Sequence, residues 1–153
     1  MKYILLIFYL ISPSIKAFTP ELLEIEKQIE ELGTKVYWAN SHPLCTQGLL
    51  GAYIPSEDKI FICQDNHQKD YEELLGTLKH EGWHAVQGKC NKNKSVLSDE
   101  ELRRHIKLRD RKILHSYHYG SERGEAEARV IEQLPTKSWI KGVRFYCKQI
   151  LKK

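Results

Sequence analysis

The sequence predicts an α+β fold in which a small antiparallel sheet packs with four or five helices. Three observations carry this expectation. Leucines and isoleucines recur at helical spacing over residues 20–32 and again from residue 71 onward, whereas residues 34–63 switch to short β-branched and aromatic blocks broken by a turn at Pro55–Lys59. Cap and stop residues stand at the joints between these blocks. The 153 residues are enough for a single core and too few for two.

FTPELLEIEKQIEELG supplies the first helix, with Thr19 as N-cap, Pro20 at the first helical position, Leu22, Leu23, Ile25, Ile29 and Leu32 as apolar positions, and Gly33 as the stop. TKVYWANS and the two runs in LLGAYIPSEDKIFIC read as two or three antiparallel strands, a hairpin or short meander. From Asp70 a second helix sets Tyr71, Leu74, Leu75, Leu78, Ala85 and Val86 on one face and runs to Gly88 and Cys90. Ser98 and Glu101 form a capping box for one long charged helix, ELRRHIKLRDRKILHSYHY, whose thinly spread apolar residues place it on the surface. Gly120 and Ser121 reset the chain into ERGEAEARVIEQL, which Pro135 ends. The last segment, TKSWIKGVRFYCKQILKK, carries no acid and reads as an amphipathic helix packing Ile140, Val143, Cys147 and Ile150 while its lysines are solvated.

The N-terminus has the pattern of a secretory signal peptide, residues 1–17, with Lys2, an apolar run from Tyr3 to Ile11 too short to span a bilayer, and small residues leading to Ala17. Ile15 is bulkier than usual at the third position before a cut after Ala17, so a nearby cut or retention as an anchor stays open. The mature chain, 18–153, is then an exported protein, periplasmic or secreted, with 22 basic against 20 acidic residues. A balance so near zero argues against nucleic acid and stable membrane insertion, and a monomer is expected. Four cysteines in an exported chain imply two disulfides among three connectivities. The order of elements favours Cys45–Cys63, closing the hairpin, and Cys90–Cys147, fastening the last helix to the second. The spacing of the four thiols contains no zinc knuckle.

The second helix contains LKHEGWHAVQ. Residues four apart lie above one another on a helix, so His80 and His84 can direct ring nitrogens at one zinc ion, and Glu81 projects about 100° round the axis to where a bound water would lie. This is the arrangement of a metal-activated hydrolase with Glu81 as general base. Two imidazoles need a third donor. The metzincin extension is excluded, because Gln87 and Cys90 stand where a glycine and a third histidine would be required. The candidates are the His115 and His118 cluster and the acidic run Glu122, Glu125 and Glu127. A donor for the oxyanion is expected from HSYHYGSER, with His118 or Tyr119 preferred.

HEGWH followed by GEAEARVIE resembles the gluzincin branch of zinc peptidases, and within it small exported bacterial and phage-type proteins with HExxH, a Glu-x-Glu-Ala segment and a preceding hairpin. The resemblance spans roughly residues 48–132 in order of elements and rests on these two short motifs. It implies a zincin-like active-site helix and a third ligand on a later helix, which falls on Glu125 with Ala128 as the accompanying small residue. Glu127, also followed by alanine, stays an alternative. Arg129 stands where the family often has Asp or Asn, so another group must orient a histidine ring. The resemblance also implies an edge strand that pairs with extended substrate, here KIFIC, and hence a peptide or protein substrate. The reading is therefore a zinc peptidase. The alternative is a non-catalytic exported module that binds metal or a protein partner and is held by its disulfides.

Overall fold

The computed structural model describes residues 19–39, 42–68, 70–114 and 122–152, so the expected signal peptide lies outside the described residues. The elements run α1 (Pro20–Glu31), β1 (Lys35–Ala39), β2 (Gly51–Ile54), β3 (Lys59–Cys63), α2 (Tyr71–Cys90), α3 (Asp99–His105), α4 (Leu108–Leu114), α5 (Glu122–Ile131) and α6 (Thr136–Tyr146). This is a small α+β fold with a three-stranded sheet and six α-helices among the described residues.

The sheet is mixed rather than wholly antiparallel. Its order is β1-β3-β2, with β1 parallel to β3 (Val36 opposite Ile60) and β2 antiparallel to it (Tyr53 opposite Ile60). β2 starts at the end of the sheet where β1 stops. The hairpin then returns up the middle as β3, so β1 and β3 run the same way and a meander does not form. Two devices hold this order. Cys45, in the connection from β1 to β2, is bonded to Cys63 at the end of β3, and Asp58, in the turn between β2 and β3, receives Thr34 Oγ1 at 2.6 Å and an ion pair from Lys89.

α2 is the central element. Leu75, Leu78, Trp83, Ala85 and Val86 join Ile25 and Ile29 of α1, Ile60 and Ile62 of β3, and Trp139 and Val143 of α6 in one core. Gly82 marks the closest crossing, since a Cβ there would lie 2.7 Å from Ile29 Cδ1. Cys90 and Cys147 join the ends of α2 and α6. Among the described residues no helix is long and apolar enough to cross a membrane.

The charged helix expected over residues 101–119 is instead broken into α3 and α4 at Ile106, whose backbone is extended (ψ 130°). The capping box of Ser98 and Glu101 forms as expected. The break lets Arg111 fold back to donate to the Arg103 carbonyl at 2.6 Å. It also leaves Leu102 and Ile106 on a small second core against Ala126 and Val130 of α5.

Candidate metal centre

His80 and His84 lie one turn apart on α2, and Glu125 approaches them from the first turn of α5. His80 Nε2 is 3.1 Å from His84 Nε2, His84 Nε2 is 3.2 Å from Glu125 Oε2, and His80 Nε2 is 3.3 Å from Glu125 Oε1. With zinc–nitrogen and zinc–oxygen bonds of 2.0–2.1 Å, the edge of a ligand tetrahedron is about 3.3–3.4 Å. The donor triangle therefore has the dimensions of one face of such a site, and the set of two imidazoles and a carboxylate suits zinc.

The remote ring nitrogens explain why the three atoms face one another. His80 Nδ1 is 2.7 Å from Glu132 Oε2, and His84 Nδ1 is 2.8 Å from Gln87 Oε1. Carboxylate and amide oxygens only accept, so each Nδ1 carries a hydrogen, and each ring when neutral turns the lone pair of its Nε2 toward the other and toward Glu125. Three acceptors so placed repel one another unless a proton or a metal ion sits among them. Burial disfavours a charged His80, yet the carboxylates of Glu125 and Glu132 outweigh it and raise its pKa to about 9. Burial likewise opposes ionisation of Glu125, but a proton shared with the His80 and His84 nitrogens that face it holds it well below the usual carboxylate range. Both shifts arise from the same close contacts between the rings and the carboxylates.

Glu81 lies on the adjoining face of α2. Its Oε2 accepts from the Tyr53 backbone N–H at 2.8 Å, which ties the carboxylate to β2. β2 comes this near because residue 51 is glycine: a Cβ there would meet Thr77 Cγ2 at 2.8 Å and Glu81 Cγ at 3.1 Å. A cleft of about 890 Å³ has Gly51 and Tyr53 on one wall, Arg129 and Glu132 on the other, and Glu81 and His80 between them. A second cavity of about 750 Å³ adjoins it at Tyr53, His84 and Glu125.

The structure thus brings His80, His84, Glu81 and Glu125 to one cleft and directs Glu127 elsewhere. Glu127 is fully buried and accepts from Trp83 Nε1 at 2.7 Å, Gln87 Nε2 at 3.1 Å, the Val96 and Leu97 N–H groups at 2.6 and 2.7 Å, and Ser95 Oγ. His118 and Tyr119, and with them His115 and Tyr117, lie outside the described residues. Arg129 donates to Glu125 Oε1 at 3.2 Å, so the i,i+4 pair and the histidine contacts share one carboxylate. KIFIC is corrected by the strand order: as β3 it is paired on both sides, with Ile60 and Ile62 fully buried, and the edge strand facing the cleft is β2.

Sequence reasoning missed two groups. Glu132 accepts from His80 Nδ1 and orients that ring, but it lies 52 residues from its partner and nothing local announces it. Gln87 carried a signal, since it follows His84 by three residues on the same helical stripe. No protein-family model, no curated protein and no solved structure matches this chain.

Proposed function

We propose that this chain is an exported zinc-dependent hydrolase acting on peptide bonds, with His80, His84 and Glu125 as ligands and Glu81 as general base. The observation that carries the reading is the convergence of the Glu125 carboxylate with two histidine nitrogens whose rings have their remote N–H groups already committed, beside a carboxylate tied to the cleft wall. Bound zinc supplies a Lewis acid and lowers the pKa of its water from 15.7 to about 7.

The remaining work belongs to the chain. Glu81 takes a proton from the attacking water and returns it to the leaving amine, as base and then acid. Glu132 and Gln87 keep the two rings turned the right way. A peptide substrate is supported by β2. The bond from Cys63 N to Leu50 O fixes the pairing phase, so Ala52 and Ile54 exchange bonds with β3 while Gly51 and Tyr53 turn their backbone groups outward, toward α2 and the cleft. An extended chain lying along that edge would pair as a short added strand with the groups Glu81 leaves open, the Gly51 N–H and the Gly51 and Tyr53 carbonyls. Export is supported by the two disulfides, which fit an oxidising, extracellular location.

The test is metal content and turnover of the oxidised protein. The wild type is expected to hold one zinc per chain, and His84→Ala to lose it. Glu81→Gln should keep the metal while hydrolysis of a peptide library falls by about 10²- to 10⁴-fold. Stoichiometric zinc without turnover of any peptide would leave a metal-binding module instead, and absence of metal from the wild type would end the reading.

A further inference from the structure

Gln87 has a role that follows from hydrogen-bond inventory alone. Its amide nitrogen faces the Gly124 carbonyl at 2.9 Å and Glu127 Oε1 at 3.1 Å. A carbonyl can only accept, so the end of the amide against Gly124 must be the NH₂ end. The carboxylate of Glu127 imposes the same choice, because Trp83 Nε1, the Val96 and Leu97 N–H groups and Ser95 Oγ already converge on it as donors. A flipped amide would set oxygen against oxygen at both contacts. Gln87 is therefore left with its oxygen toward His84 Nδ1, 2.8 Å away, and an amide oxygen there accepts only from a ring whose Nδ1 bears the hydrogen.

We infer that Gln87 and Glu127 are positioning residues that lock His84 in its Nδ1–H tautomer, so that its Nε2 is permanently an acceptor aimed at the site formed with His80 and Glu125. The information runs from a buried carboxylate on α5, through one amide on α2, to a ring on the next turn back along α2. Glu127 also accepts from Ser95 Oγ and the Val96 and Leu97 N–H groups, so the same carboxylate ties that segment to α5. This explains why the second glutamate of GEAEA is buried without touching the histidines. The inference rests on the reading of His84 as a ligand for its purpose, but the tautomer itself can be observed without metal.

The test uses the full oxidised chain, labelled with ¹⁵N and stripped with chelator, at alkaline pH where the rings are neutral. Long-range proton–nitrogen correlation is expected to show His84 with a protonated Nδ1 and a bare Nε2. A wild-type His84 protonated on Nε2 instead would overturn the proposal before any variant is made. In Gln87→Leu the lock should be lost, giving a mixed or reversed tautomer and roughly 10- to 100-fold weaker zinc binding by chelator competition. Gln87→Glu keeps an acceptor toward His84 and should keep the Nδ1–H tautomer, even though it sets a second carboxylate against Glu127. An unchanged tautomer and unchanged affinity in Gln87→Leu would also overturn it. Wild-type protein with the expected tautomer but no zinc affinity would instead remove the proposed function and leave the lock standing.

Discussion

At the scale of single residues, the most consequential contact outside the ligand set joins Glu132 to His80. The carboxylate both orients the ring and, with Glu125, holds its pKa up at about 9. A proton and a metal compete for the same nitrogen, so zinc affinity should rise with pH until His80 loses its proton near that value. Glu132→Ala is expected to weaken zinc binding by roughly 10- to 100-fold at fixed pH and to move the end of the pH-dependent rise downward, because one of the carboxylates favouring the protonated ring is gone. Zinc titrations against a chelator across the pH range check both; a plateau that stays in place would detach Glu132 from His80. The i,i+4 stacking of His80 and His84 was legible because it depends only on helix geometry. Glu132 was not, because its partner is reached through tertiary packing. Local pattern alone did not separate Glu125 from Glu127, both followed by alanine, and only the family resemblance favoured Glu125. On a helix they point about 200° apart, and only the docking of α5 between α2 and residues 95–97 decides which side is which.

At the scale of elements, the approach of β2 to α2 sets the position of Glu81. Gly51 permits it and the Tyr53 N–H fixes it. Gly51→Val would force its side chain against Thr77 and Glu81 across a strand already paired with Phe61, so β2 must shift outward. The variant is expected to lose about 1–3 kcal/mol of stability in denaturant unfolding. It should keep its zinc, because no ligand comes from β2, and lose turnover as Glu81 is released. Loss of metal together with turnover would contradict this separation. Helices α1 and α2 were legible from apolar spacing, and the Thr19 cap expected for α1 forms, while the Asp70 cap of α2 is added by the structure. The strand order was not, since hydrophobic patterning identifies strands without saying which pair. A hairpin of β2 and β3 is compatible with β1 on either side. The break at Ile106 escaped for a related reason: helix propensity continues through it, while the partners of Leu102, Ile106 and Arg111 that favour a bend come from α5 and from the backbone of α3.

At the scale of the molecule, two disulfides brace opposite ends of the core. Cys45–Cys63 spans 18 residues and Cys90–Cys147 spans 57. Loop-closure entropy gives about 3 kcal/mol for the shorter and about 4 kcal/mol for the longer. The paired serine variants should accordingly lower unfolding stability in that order. The shorter bridge should matter more to turnover than its energy suggests, since it anchors the connection that delivers β2 to the cleft. Equal loss of turnover per kcal/mol in the two variants would argue that β2 needs no such anchor. Both pairings followed from the order of elements, because each joins segments that successive elements must bring together.

The middle position of β3 has a further effect on how copies of this protein meet. Lys59–Cys63 is an apolar, β-branched and aromatic stretch of the composition that stacks into fibrils, and flanking strands cover both of its backbone edges. The rims left to solvent are poorer templates: β1 opens on an exposed lysine, and β2 is short, with one outward amide already capped by Glu81. The strand order that frames the cleft thereby also keeps neighbouring molecules from zipping together.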